Sequence, residues 1–228
     1  LFAKSRGIRA GRGALQNVPG VVVAGGPSLN KNIDRLAELR KYALVIAVDT
    51  VLDRMVEIGT PPHVVVAVDP SELNLRHFRR DSYPGVRLAF DPECYPVADR
   101  FGDNVVTYTT DKAEFFEWLD KVLGPKGSIT KGGMVSQAGF YLARYWGCDP
   151  IVLMGQDLAL DPESGETHHS QAAIVRKVRW VDGDEKHVDY PAIDADDDYR
   201  REDLFWVPGA LGGKVPTVYN LIDRKSTR

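Results

Sequence analysis

The sequence predicts an α/β domain, doubly wound around a mostly parallel sheet with helices on both faces. Three observations point there. Short apolar blocks at 21–24, 44–49, 63–69, 87–91, 104–108 and 150–157 alternate with helical patterns over most of the chain. Most of them are apolar throughout instead of alternating in and out, as expected of strands covered on both faces. Four of them end in Asp49, Asp69, Asp91 and Asp157, which would line one edge of a parallel sheet with carboxylates, the edge where open α/β sheets bind ligands.

In chain order, residues 1–17 carry Lys4, Arg6, Arg9 and Arg12, with no acid before Asp34. Charge runs of this kind are usually hydrated, so 1–17 reads as a basic linker and 18–228 as a single domain. The first strand breaks into Gly25-Gly26-Pro27-Ser28 and then a helix over 29–40, with Ser28 as N-cap and Leu29, Ile33, Leu36 and Ala37 on one face. A short helix over 51–58 closes at Gly59. A helix over 112–123 turns Ala113, Phe116, Leu119 and Val122 or Leu123 inward and ends at Gly124-Pro125. Gly132-Gly133 opens a helix that runs to Trp146 and stops at Gly147, stacking Met134, Ala138 and Leu142 at i, i+4 spacing. After Asp157 the chain is polar and irregular to Ser170. Segments 175–181 and 186–190 then flank Asp182-Gly183-Asp184-Glu185 as a hairpin, expected to serve as a lid. The acidic run Asp194, Asp196, Asp197 and Asp198 reads as a solvated loop.

The candidate site starts from Gly25-Gly26-Pro27-Ser28. Glycines at 25 and 26 leave backbone amides open to a phosphate or carboxylate at a positive helix end. The spacing matches neither the P-loop nor G-x-G-x-x-G. Ser136 and the amides of 132–135 form a second helix start of the same kind. Thr167-His168-His169 lies on the long loop after Asp157, where function concentrates on a rigid scaffold. Two adjacent histidines do not readily face one metal, so a base or a phosphate contact is the expected role.

Composition narrows the classes. The chain has 228 residues, is 43% hydrophobic and carries 29 Lys and Arg against 32 Asp and Glu, which argues against a dedicated nucleic-acid binder. No apolar stretch reaches the ~20 residues of a membrane span. Cys94 and Cys148 lack C-x-x-C spacing, so a disulfide framework is not expected and the cytoplasm is the expected compartment. The chain opens on Leu1, and its last apolar segment, 218–222, stops at a basic tail, as expected of a domain excised from a longer protein.

Taken together, GGPSL, LVIAVDT and VVVAVDP at the next two strand ends, GGMVSQAG, and CDPIVLMGQDLAL followed by THH resemble the DUF115 or MptE-like family. That family includes the motility-associated factor (Maf) flagellin glycosyltransferases and archaeal 6-hydroxymethylpterin diphosphokinases. The order of motifs is more distantly similar to bacterial sialyltransferases that use CMP-activated nonulosonic acids. The chain departs from those at Gly25-Gly26 and at Asp49, where they carry asparagine, so the donor is left open. Where Maf proteins commonly read Thr-His-Ala, this chain has Thr167-His168-His169, which makes His168 the matching histidine.

The resemblance implies a Rossmann-like, sialyltransferase-like (GT-A) sheet and a nucleotide-activated donor. Gly25, Gly26, Pro27 and Ser28 would hold the donor, with Asp49 and Asp69 beside them and Gly133, Ser136 and Gln156 across the site. His168 and Asp157 would be catalytic. The implied reaction moves a sialic-, pseudaminic- or legionaminic-type sugar from a CMP-sugar donor to Ser or Thr hydroxyls of flagellin or another surface protein, with no cofactor required. One alternative is diphosphate transfer from ATP to a pterin alcohol, with Mg²⁺ on Asp69 and Asp157. Another is a non-catalytic nucleotide- or sugar-binding module.

Overall fold

The computed structural model describes residues 4–110, 114–130, 132–157, 177–181, 184–188 and 218–221. Its strands are β1 (Arg6–Gly7), β2 (Gly20–Val23), β3 (Leu44–Val48), β4 (Val64–Ala67), β5 (Arg87–Phe90), β6 (Val105–Thr107), β7 (Thr109–Thr110), β8 (Ser128–Ile129), β9 (Ile151–Met154), β10 (Lys177–Val181), β11 (Asp184–Val188) and β12 (Val218–Leu221). Eight of them form one sheet in the order β1-β6-β5-β4-β3-β2-β9-β12, and every neighbouring pair is parallel. The chain therefore steps outward from β2 to β6 and returns to the opposite side of β2 with β9. The order reverses between β2 and β9, where Val23 pairs with both Ala47 and Met154. Open α/β sheets bind ligands at the carboxyl ends of strands at such a reversal.

Both faces are covered, which explains the unbroken apolar strands. Val22, Ile46, Val64 and Val66 pack with Ala138 and Leu142 of α5 (Val135–Trp146). Val21, Val23, Val45 and Ala47 face the other way, onto Leu29, Leu36 and Met55. Consecutive strand residues thus enter different cores, as the two-residue period of a strand requires. Gly139 sets how closely α5 lies on the sheet: a Cβ there would stand 3.2 Å from Val22. α5 ends at Gly147 in the left-handed conformation, φ 95°, which glycine adopts without a Cβ penalty.

Several expectations change in detail. The helix over 29–40 is broken into α1 (Leu29–Asn32), a 3-10 turn (Ile33–Arg35) and α2 (Leu36–Leu39). Asn32 Nδ2 donates to the Ser28 carbonyl at 3.3 Å, the acceptor its own backbone N–H would use in a continuous helix, and such side-chain competition favours a break. Ser28 does not cap α1: its backbone is helical and its side chain makes no cap bond. The helix after β3 is α3 (Asp49–Glu57), followed by Gly59 at φ 73°. α4 (Glu114–Leu123) forms as expected, but Val122 and Leu123 are exposed, as are Phe115 and Trp118, whose rings stack at 6.0 Å.

Residues 4–17 are not a linker. Arg6 and Gly7 add a strand beside β6, Ile8 is buried in the α5-side core, and Trp146 Nε1 donates to the Ile8 carbonyl at 3.0 Å. The spacing of basic residues concealed one apolar anchor. The expected hairpin is present as antiparallel β10 and β11, and the last apolar segment joins the sheet as β12 beside β9. Cys94 and Cys148 are buried and not joined in a disulfide, and burial pushes the Cys148 thiol up to about 11.

Candidate functional site

The loop after β2 meets the loop after β9 at the reversal of strand order. The Ala24 amide donates to the Met154 carbonyl and the Gly26 amide to the Gly155 carbonyl, each at 2.8 Å. The Ser28 amide donates to Asp157 Oδ2 at 2.7 Å. The loop amides expected to be open to an anion are thus partly engaged, and the anion at Ser28 is the protein's own carboxylate. Leu29 and Asn30 amides close onto Gly26 and Pro27 carbonyls, and none of these bonds uses the Gly25 amide. Gly26 is required for contact: a Cβ there would overlap Asp157 Oδ2 and the Gly155 carbonyl.

Two buried polar atoms at this junction, Ser28 Oγ and Asp157 Oδ1, have no partner among the described residues. Ser28 is 4% and Asp157 6% exposed. A buried acceptor and hydroxyl without partners are uncommon, because each lost hydrogen bond costs free energy, and they mark a position for a ligand or water. Gln156 lies between the engaged Gly155 and Asp157, and is half-buried.

The four strand-end carboxylates divide into two kinds. Asp69 Oδ1 accepts from the Ser71 amide at 2.8 Å and Asp91 Oδ1 from the Glu93 amide at 3.1 Å, both the local turn an aspartate makes with the amide two residues on. Asp157 instead reaches across the chain. Asp49 starts α3, is 3% exposed, and accepts from the Thr50 amide at 2.8 Å. Burial pushes the Asp49 carboxyl up to about 7; the Thr50 amide opposes the rise, the Asp69 carboxylate adds to it, and the Asn74 side chain opposes it. Asn74 was not foreseen, since no motif marks it. It sits on the 3-10 turn Glu72–His77, buried, with Nδ2 donating to the Asp69 carbonyl at 3.4 Å and Oδ1 without a partner among the described residues. The Tyr108 hydroxyl donates to the Ala67 carbonyl at 3.3 Å; burial, with Asp91, Cys94 and Asp49 nearby, holds it well above the usual phenol range.

At the start of α5, Gln137 Oε1 accepts from the Gly133 amide at 2.6 Å and the Met134 amide at 3.2 Å. Those two amides, expected to be open to a ligand, are satisfied by a side chain of their own helix. Ser136 is buried in the first turn.

The sheet order also tests the paired Mg²⁺ ligands. Asp69 follows β4 and Asp157 follows β9, three strand spacings apart, roughly 14 Å at ~4.8 Å per strand. Two carboxylates of one Mg²⁺ each lie about 2 Å from the ion, so this pair does not fit a shared one. Among the described residues no three His, Cys, Asp or Glu side chains converge on a metal-sized space.

With the site in view, comparison with known proteins places the chain. The profile described as 6-hydroxymethylpterin diphosphokinase MptE-like matches residues 4–163. The chain belongs to the MptE-like family. A solved structure of the MAf glycosyltransferase from Magnetospirillum magneticum AMB-1 is similar, at 20% identity and a TM-score of 0.59. The match covers 73% of this chain and 26% of that one, so the chain spans about a quarter of that protein, and what the two share is the fold. No curated protein matches the sequence.

The family match takes in Gly25 to Asp157, hence every described residue of the site. His168, the expected base, lies outside the described residues, as do His169 and the acidic run 194–198. No helix among the described residues of this MptE-like domain is long and apolar enough to cross a membrane.

Proposed function

We propose that this MptE-like domain is the donor-binding core of a glycosyltransferase that moves a nonulosonic acid from a CMP-activated donor to a Ser or Thr hydroxyl of flagellin or another surface protein. The observation that supports this reading is the pair of buried atoms, Ser28 Oγ and Asp157 Oδ1, without partners among the described residues at the reversal of strand order. A fixed acceptor and a hydroxyl in a buried site suit a sugar donor rich in hydroxyl and amide groups.

In this reading the acceptor oxygen bonds to the anomeric carbon as the bond from that carbon to the CMP phosphate oxygen breaks. The electron pair leaves with CMP. His168 takes the acceptor's proton, its ordinary pKa near 6.5 suiting a general base. Asp157, held by Ser28, steadies positive charge on the sugar or orients the base. The Gly25 amide and the start of α5 at Ser136 face the departing phosphate with positive dipole, with Gly26, Pro27, Gly133 and Gln156 shaping the walls and Asp49 and Asp69 beside the donor.

The family's description names a second reaction, diphosphate transfer to a pterin alcohol; for this chain it needs Mg²⁺ ligands other than Asp69 with Asp157. A thermal-shift panel of CMP, CDP, UDP, GDP and ATP, each with Mg²⁺ or EDTA, separates the readings. A ligand at 100 times its Kd adds about 2.7 kcal/mol to the folded state. Stabilisation by CMP in EDTA supports the glycosyltransferase. Stabilisation by ATP alone, and only with Mg²⁺, overturns it in favour of the diphosphokinase. Tight CMP-sugar binding without turnover on any acceptor leaves a binding module.

A further inference from the structure

We propose that α4 is the contact through which two copies of this chain pair, helix against helix and antiparallel. The helix, Glu114–Leu123, is amphipathic: at about 100° per residue Phe115, Trp118 and Val122 fall in one stripe, with Glu114, Glu117, Asp120 and Lys121 outside it. In a surface helix such a stripe usually faces the core. Here it faces solvent: Phe115 is 59%, Trp118 55% and Val122 58% exposed, and Leu123 is exposed beside them. None of the α4 side chains whose burial is described is buried. Phe115 stacks on Trp118 within the stripe, and both rings stay exposed. A contiguous apolar patch rimmed by charge marks an interaction surface.

Charge selects the occupant. The spacing of three and then four residues makes Phe115, Trp118 and Val122 the seam of a helix pair, and it puts Glu114 and Lys121 on the same flank of that seam. In an antiparallel pair like flanks meet, so Glu114 of one copy lies beside Lys121 of the other, and the two-fold axis repeats the contact. Trp118 then sits near the axis, and the opposed helix dipoles add to the fit. In a parallel pair the same flank would meet the Leu119 side, which carries no charge. Glu114, Glu117 and Lys121 are exposed and make no ion pair among the described residues. Three acids against one lysine on the polar side suit a second copy better than a membrane surface, where interfacial helices are rich in Lys and Arg. A helix of 10 residues is about 15 Å long, so the buried area is small and the pairing is weak and concentration-dependent.

The test is sedimentation equilibrium of the whole chain from about 1 to about 500 µM at low salt, with Trp118→Ser/Val122→Ser, Glu114→Lys, Lys121→Glu and an equimolar mixture of the last two. Every altered side chain is exposed, and circular dichroism melts check folding. Wild type is expected to pass from monomer to dimer as concentration rises, while the double serine variant stays monomeric throughout. Either charge reversal sets like charges against each other at both contacts and should weaken dimerisation about fivefold or more, an effect that fades at high salt because exposed pairs are screened. The mixture should recover the wild-type association to within about twofold, since each reversed chain then meets its complement. A monomer at every concentration overturns the proposal and leaves the stripe to a different protein or a membrane. A dimer retained by the double serine variant places the contact on another face, and single reversals that associate as well as their mixture rule out the antiparallel pair; either result also overturns it.

Discussion

The Ser28 amide donates to Asp157 Oδ2 at 2.7 Å, a buried bond between residues 129 positions apart in the chain. It ties the loops after β2 and β9 together where the sheet order reverses. Replacing Asp157 by alanine leaves a buried amide without an acceptor, which costs about 1–3 kcal/mol. Asp157→Asn keeps an oxygen for Ser28 and should recover most of that loss. The asparagine puts an amino group where Oδ1 now stands, so CMP-sugar binding should weaken tenfold or more while folding is spared. Urea midpoints and titration calorimetry check the two parts; equal midpoints for the alanine and asparagine variants would remove the Ser28 bond as a structural tie.

Gly26→Ala attacks the same junction through space. The new Cβ would overlap Asp157 Oδ2 and the Gly155 carbonyl, and backbone cannot yield as a flexible side chain can. The expected loss is about 1–3 kcal/mol, read as a lower melting temperature, with donor binding weakened beyond what the stability loss explains. A melting temperature within 1 °C of wild type would mean that the loops part freely.

Much of this architecture was legible because it rests on local rules. Unbroken apolar strands announced a sheet buried on both faces, and Gly59 and Gly147 marked helix ends by their need for positive φ. The carboxylates at 49, 69, 91 and 157 were legible as a row along one edge, but not their division, since Asp69 and Asp91 close local turns while Asp157 finds an amide far away in sequence. Long-range pairing of this kind leaves no trace in spacing. The same holds for Ile8, whose burial against Trp146 hides inside a basic stretch, and for Asn74, whose role depends on where Asp49 and Asp69 fall in space. Gln137 shows the reverse error: a helix start looks open until its own third residue turns back to satisfy it.

Asp53 anchors α3 to the segment after β4. Tyr83 donates to its Oδ1 at 2.6 Å, and the Arg79 amide and Nε donate to Oδ2 at 3.0 and 2.8 Å. Burial alone would raise this carboxyl, but the Tyr83 hydroxyl and then Arg79 outweigh it and hold it below the usual range. A depressed carboxyl stabilises the fold above the unfolded value near 3.9 and loses that contribution as pH falls through the folded one. Arg79 is half-exposed, so its ion pair is screened and the hydrogen bonds dominate. Asp53→Asn should cost about 1–2 kcal/mol at pH 7, with the gap to wild type narrowing below about pH 4. Urea titrations at pH 7 and pH 3 check this, and a gap independent of pH would assign the loss to packing.

Asp49 behaves in the opposite sense. Its carboxyl is pushed up to about 7 by burial, against an ordinary value of 3.8. Between those values the folded protein holds a proton that the unfolded chain has released, so stability falls as pH rises from about 4 to about 7 and levels off above. At about 1.36 kcal/mol per pH unit the full effect is on the order of 4 kcal/mol at most. Asp49→Asn keeps an acceptor for the Thr50 amide and cannot ionise. The variant should match wild type near pH 4, exceed it at pH 8, and lack the downward slope between. Melting temperatures measured from pH 4 to 8 decide the point: parallel profiles for the two proteins would mean that Asp49 is ionised throughout and that its charge is met by a partner or by water at the sheet edge.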